Sequence, residues 1–522
     1  MLPEPISEIG SLSASRIESL LRSNDAPLGT ERQQICMSLD QLDRELASVD
    51  ADITKLHEDT SKILHRKRDS LSVQKENLKA ASAPIRYLPT KILREIFWNT
   101  IAVVNVDAKS RVYSLNVNNA PWLVSYVCRR WRQVALDFHD LWSSVGIAIP
   151  KIDTPQATNS SFLLGIQLAR SAHGPLDLEI RYSHKSPITA IHPCVIALMP
   201  TTLRWRRLVV RADLATYVSL KPIFGILPNL EDVHVRGEHR HLSNFSPSVA
   251  VDWFEASFRL ETFRCFNLPN PVEIFPLPWD TLKHFWIAAS TAEFGKLIQL
   301  LNCMVSLESF VLGSIKAEAW IPSDHSKSID LPKLHRLKLR RSAKRGMIKE
   351  LFRLLQAPKL EELALWNCDD STMEAVAEYL RRQKCPLQVL KIQLVRPTIN
   401  SAKALADMLA AMPEVTELHV YATSSMLDIL IRILTVAKEI LASTPPLPRL
   451  THLRWFSLHQ KEQQSEFLAM VTSRATQLGG IADTPVYCSA LRSVHMSESI
   501  RKRAYEETLN VCRAAGITLL KR

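Results

Sequence analysis

Six short stretches of this 522-residue chain share one layout: LPNLEDVHV, LPKLHRLKL, APKLEELAL, CPLQVLKIQL, MPEVTELHV and LPRLTHLRW. Each sets apolar residues three apart and then two apart, often just after a proline. Centred on the middle apolar residue, the series runs Leu208, Val233, Phe263, Phe285, Phe310, Leu337, Leu363, Leu390, Leu418, Leu453 and Val494. Most centres lie 22 to 30 residues apart, and the last two intervals are longer. No other feature constrains the fold as much. Residues two apart point the same way from a strand, and stacking one short strand per turn buries them as a ladder. Between the strands the spacing becomes helical, as in EFGKLIQLLNC, MIKELFRLLQ, TMEAVAEYLRRQ and AKALADMLAAM. The expectation is a parallel sheet with helices packed behind it, prolines stopping each helix before the next strand.

Period and pattern resemble those of leucine-rich repeats. The expected fold class is therefore α/β: a solenoid over residues 147–522, parallel strands inside and helices outside. The repeats are degenerate, with Phe, Val and Trp in place of Leu, and the asparagine that closes many such repeats is mostly missing. Further strands are expected around 145–149 and 176–180, and SESIRKRAYEETLNVCRAAG followed by ITLL would form a closing turn. A solenoid of this kind is a binding surface. Alternate strand positions put Arg207, Arg211, Arg236, Arg264, Arg336, Lys338, Arg340, Lys391 and Arg454 on the inner face. The acidic residues there are Asp232, Glu362 and Glu417, and the aromatic ones Phe266, Trp286, Trp366, Tyr421 and Phe456. One reading is a solvated polar face. The other is a groove for an acidic or phosphorylated protein target, lined by Arg264, Trp286, Arg336, Lys338, Arg340, Trp366 and Tyr421, since Arg and Trp are frequent interface anchors. Arg336, Lys338 and Arg340 should repel one another unless something neutralises them.

Ahead of the repeats, residues 1–29 read as largely disordered, apart from a helical pattern around Ile17, Leu20 and Leu21. Residues 30–82 read as one long helix or coiled coil. From Thr30 to Ala83 there is neither glycine nor proline, and Ile35, Leu39, Leu42, Leu46, Val49, Ile53, Leu56, Thr60 and Ile63 alternate spacings of four and three. Lys67 and Ser70 break this heptad seam. It suits either a helix folded against the rest of the chain or a homodimeric coiled coil through 31–63.

Residues 83–146 hold APIRYLPTKILREIF and then PWLVSYVCRRWRQVALDFHDLWSSVGI. Pro89 is well placed to start a helix, whose apolar side would be Ile92, Leu93, Ile96 and Phe97. Leu123, Val127, Trp131 and Ala135, four apart, make a second stripe widened by Cys128 and Val134. Two short helices cannot bury that much surface between them, so something must dock on them. LPTKILREIF, VCRRWRQVAL and the following LW closely resemble the F-box of a group of fungal F-box-like proteins, which share the order of helical segment, F-box and degenerate repeats. The resemblance implies a small helical bundle docked on a Skp-type adaptor and, through it, a cullin and a ubiquitin-conjugating enzyme, with the repeats holding the target protein. The chain would then be a non-catalytic substrate-recognition subunit without a cofactor. The residues carried over for adaptor binding are Leu88, Pro89, Ile92, Leu93, Ile96, Phe97, Val127, Cys128, Trp131 and Ala135, with Trp131 expected to have the largest single effect. The sequence departs from the family at Lys91, where an acidic residue is common; a cation in the first helical turn opposes the helix dipole by roughly 0.3–1 kcal/mol. It also carries a long spacer, IAVVNVDAKSRVYSLNVNNA, between the motif halves. Alternatively, the segment caps the open end of the solenoid in a scaffold unconnected with ubiquitin.

The formal charge of +12 suits nucleic acid, anionic surfaces or acidic proteins alike. The cations are spread along the chain and no nucleic-acid motif accompanies them, so a basic nucleic-acid-binding solenoid stands as the alternative. P-loop, G-x-S-x-G, H-E-x-x-H and dinucleotide-binding patterns are missing, and no enzyme is expected. His192 and Cys194 lie beside prolines and read as core or loop residues. The window 426–442 carries Asp428, Arg432, Lys438 and Glu439, which suits an amphipathic helix and not a membrane span. Nine cysteines without a C-x-x-C pair, and a start without a basic leader or apolar block, point to a cytoplasmic or nuclear protein. Without a signal peptide, the sequon at Asn159 reads as an accident.

Overall fold

The computed structural model describes residues 13–23, 25–54, 58–101, 114–149, 154–182, 192–220, 227–237, 250–268, 270–288, 294–313, 328–340, 345–394, 398–436, 445–455, 461–475, 489–496 and 502–521. The chain divides into two compact units, Met1–Glu179 and Ile180–Arg522. Among the described residues no helix is long and apolar enough to cross a membrane.

The first unit contains helices α1 (Ala14–Ser23), α2 (Gly29–Ile53), α3 (Glu58–Ala81), α4 (Thr90–Thr100), α5 (Trp122–Tyr126) and α6 (Arg129–Leu136), then strand β1 (Ser144–Ile149) and helix α7 (Pro155–Arg170). Strand β2 (Leu176–Tyr182) crosses the division. The single long helix expected over 30–82 is instead the pair α2 and α3. They run antiparallel, as their ion pairs show: Asp50 meets Arg68 at 2.9 Å, and Asp43 meets Lys75 further from the turn. Ile35, Leu42 and Val49 of α2 are buried with Leu71, Leu78 and Ala81, and Leu39, Leu46, Ile53 and Leu64 are half-buried around them. The reason is a second seam. Leu64, Leu71 and Leu78 recur every seven residues across the break at Lys67 and Ser70, so α3 carries its own apolar edge to face that of α2. A partner tethered by a short connection has a high effective concentration. Helix α1 is the helical pattern read around Ile17, Leu20 and Leu21: Leu20 is fully buried, and Ile17 and Leu21 pack on the same core. Of residues 1–29, 1–12 and 24 lie outside the described residues.

A second core holds Leu93 and Phe97 of α4, Trp122 and Val124 of α5, Val134 and Ala135 of α6, and Leu141 and Trp142. The Trp122 and Trp142 rings meet edge to face with centroids 5.2 Å apart. Their indole N–H groups donate to the carbonyls of Ser114 at 2.6 Å and Ala135 at 2.8 Å. The Arg170 guanidinium lies over both rings. Buried Arg86 joins this region to the helices before it, donating through Nε to the Ala80 carbonyl at 2.7 Å and through Nη1 to that of Leu20.

The second unit is a repeating array of strands and helices. Its strands are β3 (Trp205–Ala212), β4 (Asp232–Gly237), β5 (Thr262–Phe266), β6 (His284–Ala288), β7 (Ser309–Leu312), β8 (Ile329–Asp330), β9 (Arg336–Leu339), β10 (Leu355–Gln356), β11 (Glu362–Cys368), β12 (Val389–Leu394), β13 (Glu417–Ala422), β14 (His452–Trp455), β15 (Ser493–Met496) and β16 (Thr518–Lys521). From β3 to β16 they form a parallel sheet in chain order, with β8 and β10 set aside as a separate pair. The register links Leu208 to Val233, Phe263, Phe285, Phe310, Leu337, Leu363, Leu390, Leu418, Leu453, Val494 and finally Leu519. The sequence centres therefore form one buried row. Phenylalanine in place of leucine is explained here: the rings of Phe263, Phe285 and Phe310 stack in succession, 6.4 and 5.7 Å between centroids. Intervening helices such as Arg345–Leu354, Asp370–Gln383, Ser401–Ala410 and Ser424–Leu434 bury the apolar sides their spacing marks. The window 426–442 falls partly in the last of these; 437–442 lies outside the described residues. At the end of the array, helix Lys502–Ala514 and β16 form the closing turn read from the sequence.

Candidate functional site

Two surfaces, one in each unit, carry the residues singled out in the sequence. In the first unit, α4 begins after Pro89 and its two apolar rows part company. Leu93 and Phe97 are fully buried, while Ile92 and Ile96, one turn apart on a different side, are 41% and 38% exposed. On α5 and the residue after it, Leu123, Tyr126 and Val127 each expose about half of their surface. Trp98 is half exposed, with its ring 6.1 Å from that of Phe138. The ten expected adaptor residues thus separate. Leu93, Phe97 and Ala135 are inside; Leu88, Cys128 and Trp131 are half-buried; Pro89, Ile92, Ile96 and Val127 face outward. Trp131, expected to have the largest single effect, packs its ring on Phe97 at 4.9 Å. Cys128 caps α6, its Sγ accepting the Trp131 N–H at 3.3 Å. Arg130 fixes α6 to the start of α4 by donating to the carbonyls of Arg86 and Leu88. Trp98 and Tyr126 escaped the sequence reading because neither lies on a four-residue stripe.

In the second unit, the alternate strand positions read as the inner face are half-buried or exposed, except that Arg211 is buried and Phe456 lies outside the described residues. The expected clash of Arg336, Lys338 and Arg340 does not arise. Glu362, beside Arg336 in register on β11, accepts from Arg336 at 2.7 Å and Lys391 at 2.7 Å, and Lys338 stands 3.4 Å away. Burial alone would raise its pKa, but hydrogen bonding to Lys391 and the charges of Lys338, Lys391 and Arg336 together lower it. Arg340 lies over two indoles, 5.4 Å from the centre of Trp286 and 5.6 Å from that of Trp366, which is favourable cation–π geometry. The aromatic contacts continue from Trp286 to Phe266 at 4.8 Å, and from Phe266 to His234 at 5.0 Å. Arg264 sits beside Trp286 in register. Tyr421 stands on β13, two strands beyond Trp366. Of the seven expected substrate residues, Trp286, Arg340 and Trp366 make one contact group, Arg264 adjoins it, and Arg336 and Lys338 are tied to Glu362.

His234 was not singled out in the sequence. It is 2% exposed, and among the described residues neither ring nitrogen has a hydrogen-bond partner. Burial, reinforced by Arg211, Arg264, Arg236 and Arg207, lowers its pKa to about 3, so the ring is neutral at physiological pH. Arg207 pairs with Asp232 at 3.2 Å. The sequence signal was present, since alternation from Asp232 to Arg236 places His234 on this face, but it gave no indication of burial.

His192 and Cys194 make a local cap. The Cys194 N–H donates to His192 Nδ1 at 3.1 Å, starting the helix Pro193–Leu198. Both side chains are buried, and burial pushes the Cys194 thiol up to about 11, far from a reactive thiolate.

No protein-family model matches this chain, and no curated protein matches it.

Proposed function

We propose that this chain is a substrate-recognition subunit of a Skp-cullin-F-box ubiquitin ligase, in which the helices of residues 84–142 dock a Skp-type adaptor and the repeat array, read as degenerate leucine-rich repeats, holds the target protein. The observation that carries this reading is the division of α4 and α5 into a closed core and an uncovered apolar side. Ile92, Ile96, Leu123, Tyr126 and Val127 remain exposed although Leu93, Phe97, Trp122 and Val124, their neighbours in sequence, are buried. A group of large apolar side chains left in water on two short elements marks an interaction surface. Those motif residues that are buried, Leu93, Phe97 and Ala135, hold the bundle together, and the docking role passes to Ile92, Ile96 and Val127. The subunit needs no catalytic group of its own in this role. It brings adaptor and target together.

The test is co-purification of the full chain with a Skp-type adaptor, comparing wild type with Ile92→Asp/Ile96→Asp. Capture by wild type and its loss in the variant, with circular dichroism unchanged, is the expected result. A well-folded wild type that captures no adaptor would overturn the reading and leave a scaffold whose helical segment caps the array. Trp131→Ala is a poor probe, because the ring it removes packs on Phe97 in the bundle core.

A further inference from the structure

Most strands of the array are entered through the same turn. The residue three before the strand centre donates its backbone N–H to the carbonyl three residues earlier. Leu230 donates to Leu227, Leu334 to Leu331, Leu360 to Ala357, Val415 to Met412 and Leu450 to Leu447, at 3.1 to 3.3 Å. The second residue of each of these turns is a proline: Pro228, Pro332, Pro358, Pro413 and Pro448. Proline suits that position because its ring presets the φ the turn needs and narrows the unfolded chain's freedom. The turns before β3, β5 and β7 close in the same way, from Trp205 to Thr202, Leu260 to Ser257 and Leu307 to Met304. Their second residues are Leu203, Phe258 and Val305 instead. These side chains are 62%, 73% and 52% exposed, so they add little to the core. The fold alone would favour proline in all three turns.

We propose that the rim marked by Leu203, Phe258 and Val305 docks an amphipathic helix of a partner protein. The rim lies in the turns ahead of the strands, off the open face of the sheet, and the proposal does not rest on the adaptor reading. Spacing selects a helix. β3, β5 and β7 are alternate strands of the sheet, and neighbouring strands lie about 4.8 Å apart, so the three side chains stand about 10 Å apart along one line. An α-helix advances about 10.5 Å in seven residues and can set one apolar residue against each. An extended chain returns to the same side about every 6.8 Å and falls out of step. The row is about 20 Å long, which calls for a helix of about 14 residues. Area argues against a second copy: three side chains offer a few hundred Å², short of the roughly 800 Å² that each partner of a stable dimer buries. Charge argues against an anionic bilayer. Arg206 and Arg259 stand within three residues of the row positions, but so do Glu231 and Glu261, and Asp280 occupies the matching place before β6. Charges of both signs suit the charged flanks of an amphipathic helix, whereas the carboxylates would repel anionic lipid.

The experiment immobilises the full chain and passes over it degenerate pools of peptides about 18 residues long, enough for the row and one turn more. Two pools share one composition. In the first, apolar residues recur at alternating spacings of three and four; in the second, they fall at every other residue. A third, proline-rich pool carries apolar residues three apart. Wild type is expected to retain the first pool at least about fivefold over each of the others, as burial of three large apolar side chains allows. Phe258→Pro/Val305→Pro gives these turns the residue that others in the array carry. Its unfolding midpoint should not fall, while retention of the first pool drops to the level of the second. Leu203→Glu/Phe258→Glu should abolish retention. Arg336→Glu on the open face and Ile92→Asp/Ile96→Asp on α4 should each leave it within about twofold, which separates this surface from both of those. Equal retention of the pools, or full retention by folded Phe258→Pro/Val305→Pro, would overturn the proposal. So would binding to phosphatidylserine vesicles that Leu203→Glu/Phe258→Glu abolishes, or a doubled mass that the same variant returns to one chain. Peptide retention needs no adaptor, so failure of adaptor capture and failure of this surface are separate results.

Discussion

The hairpin α2–α3 and the bundle α4–α6 start from the same kind of sequence, an apolar stripe at helical spacing, and end differently. In the hairpin the stripe finds a second one within the chain: Ile35, Leu42 and Val49 meet Leu71 and Leu78 and are buried. In the bundle only half of the stripe is covered. Leu93 and Phe97 go inside while Ile92 and Ile96 stay in water. Length makes the difference. Helices of 25 and 24 residues present matching edges along several turns, whereas α4, α5 and α6 span 11, 5 and 8 residues. Elements that short cannot wrap one another on all sides. An apolar stripe on a long helix followed by another therefore points first to the chain itself, and on short helices to a partner.

The comparison breaks most visibly where both regions are cored. Phe97→Ala removes a fully buried ring that carries Trp131, and should cost about 3–5 kcal/mol. Leu71→Ala in the hairpin should cost about 2–5 kcal/mol. Chemical denaturation followed by circular dichroism measures both. A negligible effect of Leu71→Ala would mean that α3 does not close the seam of α2. Next comes the joint between the two regions. Arg86→Met strips the carbonyls of Leu20 and Ala80 of their buried donor, at about 1–3 kcal/mol. Hydrogen exchange should then accelerate in α1 ahead of α4, and unchanged protection of α1 would show that Arg86 does not hold it.

Ile92→Asp/Ile96→Asp sharpens the comparison from the other side. Both residues are only partly covered, so stability should fall by no more than about 1 kcal/mol per site, well below the cost at Phe97, while adaptor capture is lost. A large loss of stability would place these side chains in the core and remove the contrast with Leu93 and Phe97.

The array was the most legible part of the chain because a repeat is read many times over. Each strand centre from Leu208 to Val494 pairs with the next in the register, and a single ambiguous position is corrected by its neighbours. Three things were hidden. The turn between α2 and α3 was missed because neither glycine nor proline marks it, and the second seam is only three leucines long. The division of Ile92 from Leu93 depends on which helix lies opposite, and periodicity does not carry that. On the open face, the sequence put Arg336 and Lys338 on β9 and Arg340 just after it but could not bring Glu362 across from β11, because pairing between strands 26 residues apart is a matter of register. The same blindness concealed His234. Its position was readable, its burial among arginines was not.

The smallest effect expected concerns the hairpin's outer surface. Met37 and Val73 expose more than half of their area, singly, on helices whose seams are filled. If the hairpin has used its heptad seam internally, a second copy finds no continuous edge to pair with. Light scattering should therefore give the mass of one 59.1 kDa chain, and Met37→Glu/Val73→Glu should leave both that mass and the unfolding midpoint unchanged, as expected for surface positions. A doubled mass that falls to the single-chain value in this variant would show that the hairpin carries a second, outward interface. The hairpin would then resemble the bundle, and the length of the helices would no longer account for the difference between them.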